Sequence, residues 1–348
     1  MKLLRLLLMC FVCNVHADLK SDARAIDHAP MGVSGDHYHK KGESMISVRH
    51  GHMAMGEALF KGETISLSDV LSMPNPLKDS PVNLSVIPTD MTMKMTMIGG
   101  MYAPTDRVTL MIMGMFVAKE MQLTTYQPMM NRDLVGRFST SSSDVSDISL
   151  GALITLKESQ GSRLHGEIAL QHSIGSNDAK GVVLTPMGED MNMILPYGMQ
   201  AGDSASRLVL GMTHVRDLID NIKWGNQVRT KIAVSQGEWS FGDHTEVNSW
   251  LQCAFSQSGA ISARLKWTHQ NKIWGRNPAI KGPVQTANPE NYGGVEWHIG
   301  LGINWLTRVF SQNVDRVGLE LLLPIKQEKN NLQLATKYQL TLGYQKAF

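Results

Sequence analysis

Methionine and histidine are the residues of this sequence whose type and spacing could do chemistry. The chain has 23 methionines and 12 histidines among 348 residues. His37 and His39 stand together near the N-terminus, and Met111, Met113 and Met115 alternate along one strand-like segment. Thioether sulfur is a soft ligand suited to Cu(I), and imidazole binds copper and zinc. These five residues are therefore the candidate metal ligands, with copper as the candidate ion. The alternative is that methionine merely fills irregular packing as a flexible side chain.

The elements that would position these residues are strands. At the C-terminus, Tyr338, Leu340, Leu342 and Tyr344 share one parity with the terminal Phe348, whereas polar and small residues occupy the other. This period of two predicts a strand with one apolar face. The segment resembles the closing strand of bacterial outer-membrane β-barrels, which implies recognition of Phe348 by the barrel assembly machinery. The alternative is the last strand of a soluble β-sandwich.

Alternating segments continue along most of the chain. They are predicted at Glu43–Met55, Asp90–Met101, Arg107–Ala118, Asp147–Lys157, Arg163–Ser173, Arg207–Val215, Lys223–Ser235, Glu246–Ser256, Ser262–Thr268, Gly294–Leu306, Arg316–Leu323 and Tyr338–Phe348. That makes about twelve strands, the even number that bacterial barrels require. The predicted fold is all-β, a closed antiparallel transmembrane β-barrel.

The lengths of the connections support a barrel over a sandwich. Short links at 103–106, 159–162 and 257–260 alternate with long ones at 58–89, 119–146, 174–206 and 269–293. A membrane barrel has short periplasmic turns and long extracellular loops. The parity therefore places every one of the long segments on the cell exterior.

Charged residues gather on the parity opposite the apolar residues. A charge on the lipid face near the bilayer midplane costs on the order of 2–4 kcal/mol, so segregated charges indicate a polar lumen. About a dozen strands would enclose a narrow, partly obstructed lumen. The residues predicted to line it are Glu167, Lys223, Arg229, Lys231, Glu246, Arg264, Lys266, Glu296, His298, Arg316, Glu320 and Lys337. They could select solutes, or they could satisfy one another as a structural network.

The methionines divide between the two faces. Met91, Met93, Met95 and Met97 alternate with polar residues, which predicts that they face lipid. In the next strand Val108, Leu110, Ile112 and Phe116 would face lipid, so Met111, Met113 and Met115 would face the lumen.

The N-terminus predicts export. Lys2 and Arg5 precede the apolar run 6–12, and Ala17 ends a cleavage site of the small-residue type. Residues 1–17 are therefore predicted to be a secretory signal peptide. Residues 18–41 contain His37 and His39 without periodicity, which predicts an ordered arm or plug, and 42–348 would form the barrel. Cys253 would be the one cysteine left after cleavage, which excludes an intramolecular disulfide. The predicted location is the outer membrane after Sec-type export.

Composition excludes other classes of protein. With 18% charged residues and a formal net charge of +2, the chain is not of the nucleic-acid-binding type, and no nucleic acid partner is expected. Beyond the N-terminus no run of eighteen apolar residues exists, which excludes a helical membrane protein.

Several motifs carry a family resemblance. They are 29–33 with Gly35-Asp36-His37, Met91-Thr92-Met93, the run 101–107, Leu195-Pro196-Tyr197-Gly198-Met199-Gln200, and 339–345. Together they resemble a group of bacterial outer-membrane transporters, similar to the barrels grouped under the "MetA-pathway of phenol degradation". The resemblance implies a barrel with a transport function, but it does not indicate which substrate is transported.

The sequence therefore predicts a channel for small solutes in outer-membrane lipid, without a cofactor. The alternative function is the binding or efflux-related handling of copper or another soft metal by the candidate ligands. Outer-membrane phospholipases are also barrels of this size, but the nearest match to their His-x-Ser-Asn-Gly signature, at His172 to Asn177, has the wrong spacing. A nucleophile must reach its base at hydrogen-bond distance, and adjacent strand residues point to opposite faces. No enzyme is predicted.

Overall fold

The computed structural model describes residues 23–75, 77, 81–128, 131–308 and 315–348. The predicted signal peptide and the first five residues of the predicted arm lie outside these ranges. Within them, twelve strands form one antiparallel sheet. They are β1 Ser44–Phe60, β2 Val86–Thr105, β3 Val108–Tyr126, β4 Leu134–Ser159, β5 Ser162–Ser173, β6 Ser206–Ile219, β7 Ile222–Ser235, β8 His244–Ala254, β9 Gly259–Gln270, β10 Gly294–Thr307, β11 Asp315–Lys329 and β12 Leu332–Ala347.

The sheet closes on itself, because β1 pairs with β12 as well as with β2. The register at this seam runs from Met45↔Ala347 to Phe60↔Leu332, so it covers nearly the whole of both strands. Each remaining strand pairs with the strand before and after it in the chain. The predicted twelve-stranded closed barrel is confirmed.

The two ends of the barrel differ in the connections they carry. The turn end holds the links 106–107, 160–161, 220–221 and 255–258 and the strand ends Thr307 and Asp315. The loop end holds 174–205, 236–243, 271–293 and 330–331 and the described parts of 61–85 and 127–133. The prediction of a loop over 119–146 is wrong, because β3 continues to Tyr126 and β4 begins at Leu134. Alternation in this stretch is between polar and small residues, so its strand character does not show as an apolar face.

Short elements fold over the loop end. They are the helix Leu67–Ser72, the 3-10 turns Tyr197–Met199, Gln285–Ala287 and Pro289–Asn291, the hairpin of Lys180–Leu184 with Asp190–Ile194, and the pairs Trp239–Ser240 with Trp274–Gly275 and Glu63–Thr64 with β1. A further 3-10 turn, Ala25–Asp27, lies in the N-terminal arm. Across the described ranges no helix has the length and apolar character needed to cross a membrane.

Strand β10 shows how alternation sorts side chains between lipid and lumen. Ile299 and Leu301 are 44% and 62% exposed on the outer wall, whereas His298 and Asn304 are buried inside. In a bilayer the exposed apolar side chains contact hydrocarbon instead of water, and the polar side chains find partners inside the barrel. The same division extends around the barrel and gives it an apolar outer belt.

Polar side chains on the outer wall satisfy one another across neighbouring strands. His50 Nδ1 lies 3.0 Å from Thr96 Oγ1, and Trp224 Nε1 donates to Ser249 Oγ at 3.0 Å. Hydrocarbon offers no hydrogen-bond partner, so an unpaired polar group there would cost several kcal/mol. Pairing between strands is what lets these residues occupy lipid-facing positions.

The prediction that Met91, Met93, Met95 and Met97 face lipid is wrong. The register of β2 with β1 has no irregularity from Asp90 to Tyr102. Ile98 and Tyr102 are exposed on the outer wall, so the methionines, on the opposite parity, face inward. Local alternation suggested lipid because Thr and Lys occupy the other face. However, the apolar residues closer to the turn end set the orientation of the whole strand, and the interior supplies an apolar environment of its own.

The seam register predicts a specific covalent link. Val48 and Tyr344 are directly opposed on the outer wall, at a Cβ separation of about 4.5–5.5 Å that a disulfide needs little adjustment to span. We expect Val48→Cys with Tyr344→Cys, in a Cys253→Ser background, to oxidise to a disulfide. The oxidised chain should migrate differently from the reduced one on a denaturing gel.

The matched control is Val48→Cys with Leu342→Cys, because Leu342 pairs with His50 two residues further along β1. Equal cross-linking in this control, or none in either variant, would contradict the closed register.

Candidate functional site

The lumen is lined by charged residues that are paired with one another. Arg229 Nε donates to Glu167 Oε2 at 2.8 Å, and Arg264 Nε donates to Glu320 Oε1 at 2.8 Å. Both residues of the second pair are nearly inaccessible, with side chains 3% and 1% exposed. Removing one partner of such a buried pair would cost about 3–5 kcal/mol, because the other charge would be left without compensation.

The other predicted lumen residues belong to similar contacts. Lys266 pairs with Glu246 at 3.3 Å, His298 Nε2 lies 3.3 Å from Glu296, and Lys223 contacts Asp27 of the arm at 2.8 Å. Arg316 donates to Gln345 and Asn304. Lys231 lies on the same face of β7 as Arg229. The structure thus places eleven of the twelve predicted residues on the inner wall, and most of them are in ion pairs or hydrogen bonds there.

Lys337 is the exception, and its predicted position in the lumen is wrong. It lies between the pairs Ala54↔Tyr338 and Met55↔Thr336, so it is the extra residue of a β-bulge. Thr336 bonds the lumenal Glu296, whereas Lys337 is exposed and pairs with the exposed Asp90 at 2.8 Å. A bulge adds one residue to the strand and so inverts the alternation beyond it, which parity counted from the sequence alone cannot detect.

The N-terminal arm, residues 23–43, runs from the turn end into the barrel and back. Ala25 N donates to Gln257 O at 3.0 Å in the turn between β8 and β9. At the other end of the arm, His39 N donates to Thr109 Oγ1 and Lys41 N to Asp106 Oδ1, beside the turn between β2 and β3. Both ends of the arm therefore contact the turn end.

Between these points the arm's backbone is bound by side chains of the inner wall. Gly32 N donates to Glu320 at 2.6 Å, and Arg49 donates to Val33 O at 2.9 Å. Gln227 donates to Ser34 O at 2.8 Å. These bonds come from strands on different sides of the barrel, so the arm crosses the lumen rather than lying along one wall. They also satisfy backbone groups that burial would otherwise leave unpaired.

The side chain of Met31 packs against the inner wall of the barrel. It is 1% exposed, and it lies against Gly318 of β11 and Gly343 of β12. A Cβ at either glycine would overlap the methionine side chain. Burying a methionine side chain is worth about 1.5–3 kcal/mol, so these two bare positions on the wall form the arm's main apolar anchor.

Three imidazoles of the arm meet inside the barrel. The ring centroids of His28 and His37 are 4.7 Å apart, and those of His37 and His39 are 5.0 Å apart. Asp36 joins them, with Oδ1 3.1 Å from His37 Nδ1. Burial and then the charge of Arg316 bring the pKa of His28 well below its ordinary value. Burial and then the charge of His37 lower the pKa of His39 to about 4.

The predicted metal ligands are only partly brought together. Met111 and Met113 line a small cavity of about 60 Å³ with His37, as predicted for the lumenal face of β3. Met115 and His39 do not line it; His39 instead lies 3.5 Å from Glu43. The cavity is completed by residues that were not predicted as metal ligands, among them Asp36, Met45, Met97 and Met101. For the cavity residues that the arm contributes, the sequence offered one indication, the neighbouring pair Asp36-His37 in the same polar segment as His28.

The loop end is closed by apolar side chains. Leu195, Tyr197, Met199 and Trp239 from the loops are buried against Met91, Met121, Leu123 and Leu334 of the strands. Aromatic rings are in edge contact within this cluster, with Tyr197 and Trp239 centroids 4.8 Å apart. The inward-facing methionines at this end are thus covered by the loops rather than by water.

An apolar pocket of about 380 Å³ opens in this region. It lies between the inner wall of β3 and β4 and the hairpin Lys180–Leu184 with Asp190–Ile194. Residues that line it include Met121, Leu123, Phe138, Val183, Leu195 and Val284. Its volume falls in the range of about 300–1,000 Å³ that is usual for small-molecule sites.

An ion pair holds the loop that forms one side of this end. Asp203 accepts from Arg207 Nη1 at 3.1 Å and from the backbone N–H groups of Phe241 and Ala205. Burial alone would raise the pKa of Asp203, but the hydrogen bond and charge of Arg207 and these N–H groups bring it below its ordinary value. The carboxylate therefore stays ionised and ties 203–207 to the segment that carries Trp239 and Phe241.

Comparison with solved structures identifies the fold. An outer-membrane channel of Pseudomonas putida F1 superposes with a TM-score of 0.56 at 13% identity, covering 91% of this chain and 99% of that chain. A FadL homologue of Pseudomonas aeruginosa gives 0.42 at 9% identity over 88% and 90% of the two chains. The translocator domain of the autotransporter NalP from Neisseria meningitidis gives 0.44 at 10% over 90% and 91%. No family model and no curated protein matches the sequence.

The chain therefore has the fold of a bacterial outer-membrane β-barrel. At 13% identity the likeness to the Pseudomonas putida channel is one of fold alone. The sequence resemblance to the MetA-pathway group stays a prediction, since no family model matches.

The contact of Met31 with Gly343 predicts that a side chain at this glycine releases the arm. We expect Gly343→Val to raise the rate at which a water-soluble maleimide labels Val33→Cys, a fully buried position, by about 10-fold or more. The measurement uses a Cys253→Ser background so that a single thiol reacts.

Gly114→Val is the control, because the space beside Gly114 is open and a valine there should leave the labelling rate unchanged. An unchanged rate in Gly343→Val would show that the glycine contact does not hold the arm.

Proposed function

We propose that this protein is an outer-membrane channel for small apolar solutes, with its turn end in the periplasm and its loop end outside the cell. The observation that carries the proposal is the apolar pocket of about 380 Å³ at the loop end of a closed barrel. A solute that enters from outside meets this pocket before it reaches the charged lumen. An apolar lining favours apolar solutes, because each Å² of apolar surface removed from water contributes about 25 cal/mol of free energy to binding.

The lumen below the pocket is narrow and polar, and the arm crosses it. Most of its charges are in ion pairs, such as Arg229 with Glu167 and Arg264 with Glu320. Passage of a solute therefore requires the arm to move, and the arm is held mainly by hydrogen bonds to its backbone and by Met31. Interactions of this kind can be exchanged for others without exposing a strand edge, so the arm can shift while the barrel stays closed.

A non-enzymatic role is part of the proposal. His172, the histidine of the nearest phospholipase-like stretch, lies on the outer wall with Nδ1 2.9 Å from Ser206 Oγ, whereas its neighbour Ser173 is buried on the inner face. The two side chains are thus on opposite sides of the wall and cannot act as base and nucleophile for each other.

Export and assembly follow from the same proposal. Outer-membrane barrels must cross the inner membrane before they fold, so the predicted signal peptide at 1–17 would direct Sec-type export. The terminal Phe348 is 57% exposed at the end of β12, with Lys346 Nζ 5.4 Å from its ring centroid. It is accessible to the barrel assembly machinery, the partner that we propose for it.

The pocket predicts a loss of apolar binding when a charge is placed in its lining. We expect Val183→Asp to weaken the binding of trifluorotoluene by about 10-fold or more, because a buried carboxylate without a partner is costly. The measurement is the fluorine NMR line width of the probe with purified protein in detergent.

Val182→Asp is the matched control. Val182 lies on the other face of the same short strand, is 58% exposed and does not line the pocket. Equal binding by both variants and the unmodified protein would rule out the pocket as the solute site.

The arm predicts the conductance of the channel. In planar bilayers we expect the complete mature protein to conduct weakly and a variant lacking residues 18–41 to conduct several-fold more, since the arm's buried residues then no longer fill the lumen. If neither protein conducts under any condition, the channel function is wrong.

A second candidate function is the handling of a soft metal. The observation that favours it is the cavity shared by His37, Met45, Met97, Met101, Met111 and Met113, because thioether sulfur favours Cu(I). This alternative requires that Cu(I) binding be lost when Met111, Met113 and Met115 are changed to leucine.

A further inference from the structure

The arm contains a compact group of nitrogen and oxygen ligands that the channel function does not use. His28, Asp36 and His37 each offer one ligand atom, and these atoms lie within 4.8 Å of one another. In the part of the chain that the structure describes, it is the one group of three or more His, Cys, Asp or Glu residues close enough to hold a metal ion.

The nitrogens in this group lack partners although they are buried. Within the described residues, no hydrogen bond satisfies His28 Nδ1 or His37 Nδ1, and Nε2 of the neighbouring His39 also lacks one. The His37 and His39 side chains are only 9% and 7% exposed. A buried polar atom without a partner costs about 1–3 kcal/mol, and a ligand bound between His28 and His37 would remove this cost.

The surroundings of the group are those of a metal site. Asp36 Oδ2 accepts from Ala29 N at 2.9 Å, which orients the carboxylate and leaves Oδ1 directed at His37. Oδ1 and His37 Nδ1 are 3.1 Å apart, close to the spacing of about 3.3 Å that two ligands have on a tetrahedral ion with bonds of about 2.0–2.1 Å. Outer contacts that orient the ligands in this way are usual in metal sites.

The nearby charges narrow the choice of ion. Arg49 Nη2 lies 3.9 Å from Asp36 Oδ1, and Arg316 donates to Ala29 O beside the group. Both guanidinium groups oppose a cation, so an ion held by charge alone, such as Mg²⁺ or Ca²⁺, would be excluded. An ion that forms strong bonds to imidazole would still bind, which leaves divalent metals of the late first row.

We propose that His28, Asp36 and His37 bind a divalent transition metal, with zinc as the representative ion. His39, whose ring is 5.0 Å from that of His37, is the nearest further donor. The ion would join the segment before Met31 to the segment after Val33, and so close the loop of the arm inside the barrel. The site differs from the methionine-lined soft-metal alternative in using nitrogen and carboxylate ligands, and it does not depend on the transport function.

The test is calorimetric titration of Zn²⁺ into full-length mature protein stripped of metal with a chelator. We expect one ion per chain. His28→Gln and His37→Gln should each lower the affinity by about 100-fold or more, since losing an outer contact alone costs 10–100-fold. Co²⁺ should give the visible absorption of a tetrahedral site in the unmodified protein and not in Asp36→Asn.

His50→Gln is the control, because this histidine lies on the outer wall beside Thr96 and should bind Zn²⁺ as the unmodified protein does. Folding of each variant is checked by the heat-dependent gel mobility of the closed barrel. The proposal would be overturned if the unmodified protein did not bind Zn²⁺, or if the His28 and His37 variants bound it as tightly as the unmodified protein. So would a loss of Zn²⁺ binding in Met111→Leu with Met113→Leu alone, which would support the soft-metal alternative instead.

Discussion

The pairing of β1 with β12 is the interaction on which the rest of the structure depends. In hydrocarbon each unpaired backbone N–H or C=O costs several kcal/mol, so a sheet can stay in a bilayer only if it has no free edge. The seam provides this by pairing the two strands from Met45↔Ala347 to Phe60↔Leu332. Closure also fixes which parity of each strand faces inward. The paired charges, the inward methionines and the position of the arm all follow from it.

A twelve-stranded cylinder encloses more space than the side chains of its own wall fill, since about eight strands already give a packed interior. The arm occupies part of that space. It does so with polar contacts to Glu320, Arg49 and Gln227 and with apolar contacts, among them Met31 against Gly318 and Gly343, Ile26 with Leu306, and Val33 with Trp250. Glycine on the wall is what allows an extra segment to approach the backbone closely. The interior is thus a folded core rather than an open pore.

The two ends of the barrel are closed by different kinds of interaction. At the turn end the arm is held by directional hydrogen bonds to turn and wall residues, such as Ala25 to Gln257 and Lys41 to Asp106, together with a small apolar cluster of Ile26 with Ala260 and Leu306. At the loop end the closure is an apolar cluster built around Tyr197 and Trp239, beside a pocket with an apolar lining. An apolar solute can compete with the second kind of closure, because it replaces one set of non-directional contacts by another. At the turn end the hydrogen bonds of the arm must instead be exchanged for others before a solute can pass, so the pocket and the arm have separate roles in the proposed transport.

The barrel, its strand number and the inner face of most strands could be predicted from the residue pattern alone. A period of two over several residues, with charge on one parity, has one low-energy solution in lipid. This is why Glu167, Arg229, Arg264 and Glu320 could be placed on the inner wall from the sequence. Only the tertiary structure decided the rest. The bulge at Lys337 reversed a local parity, and the orientation of Met91 to Met97 depended on residues nearer the turn end. The meeting of His28 with Asp36 and His37, and the pocket under the loops, depend on segments without periodicity. Their positions are fixed by contacts with the wall, and no local pattern in the chain encodes those contacts.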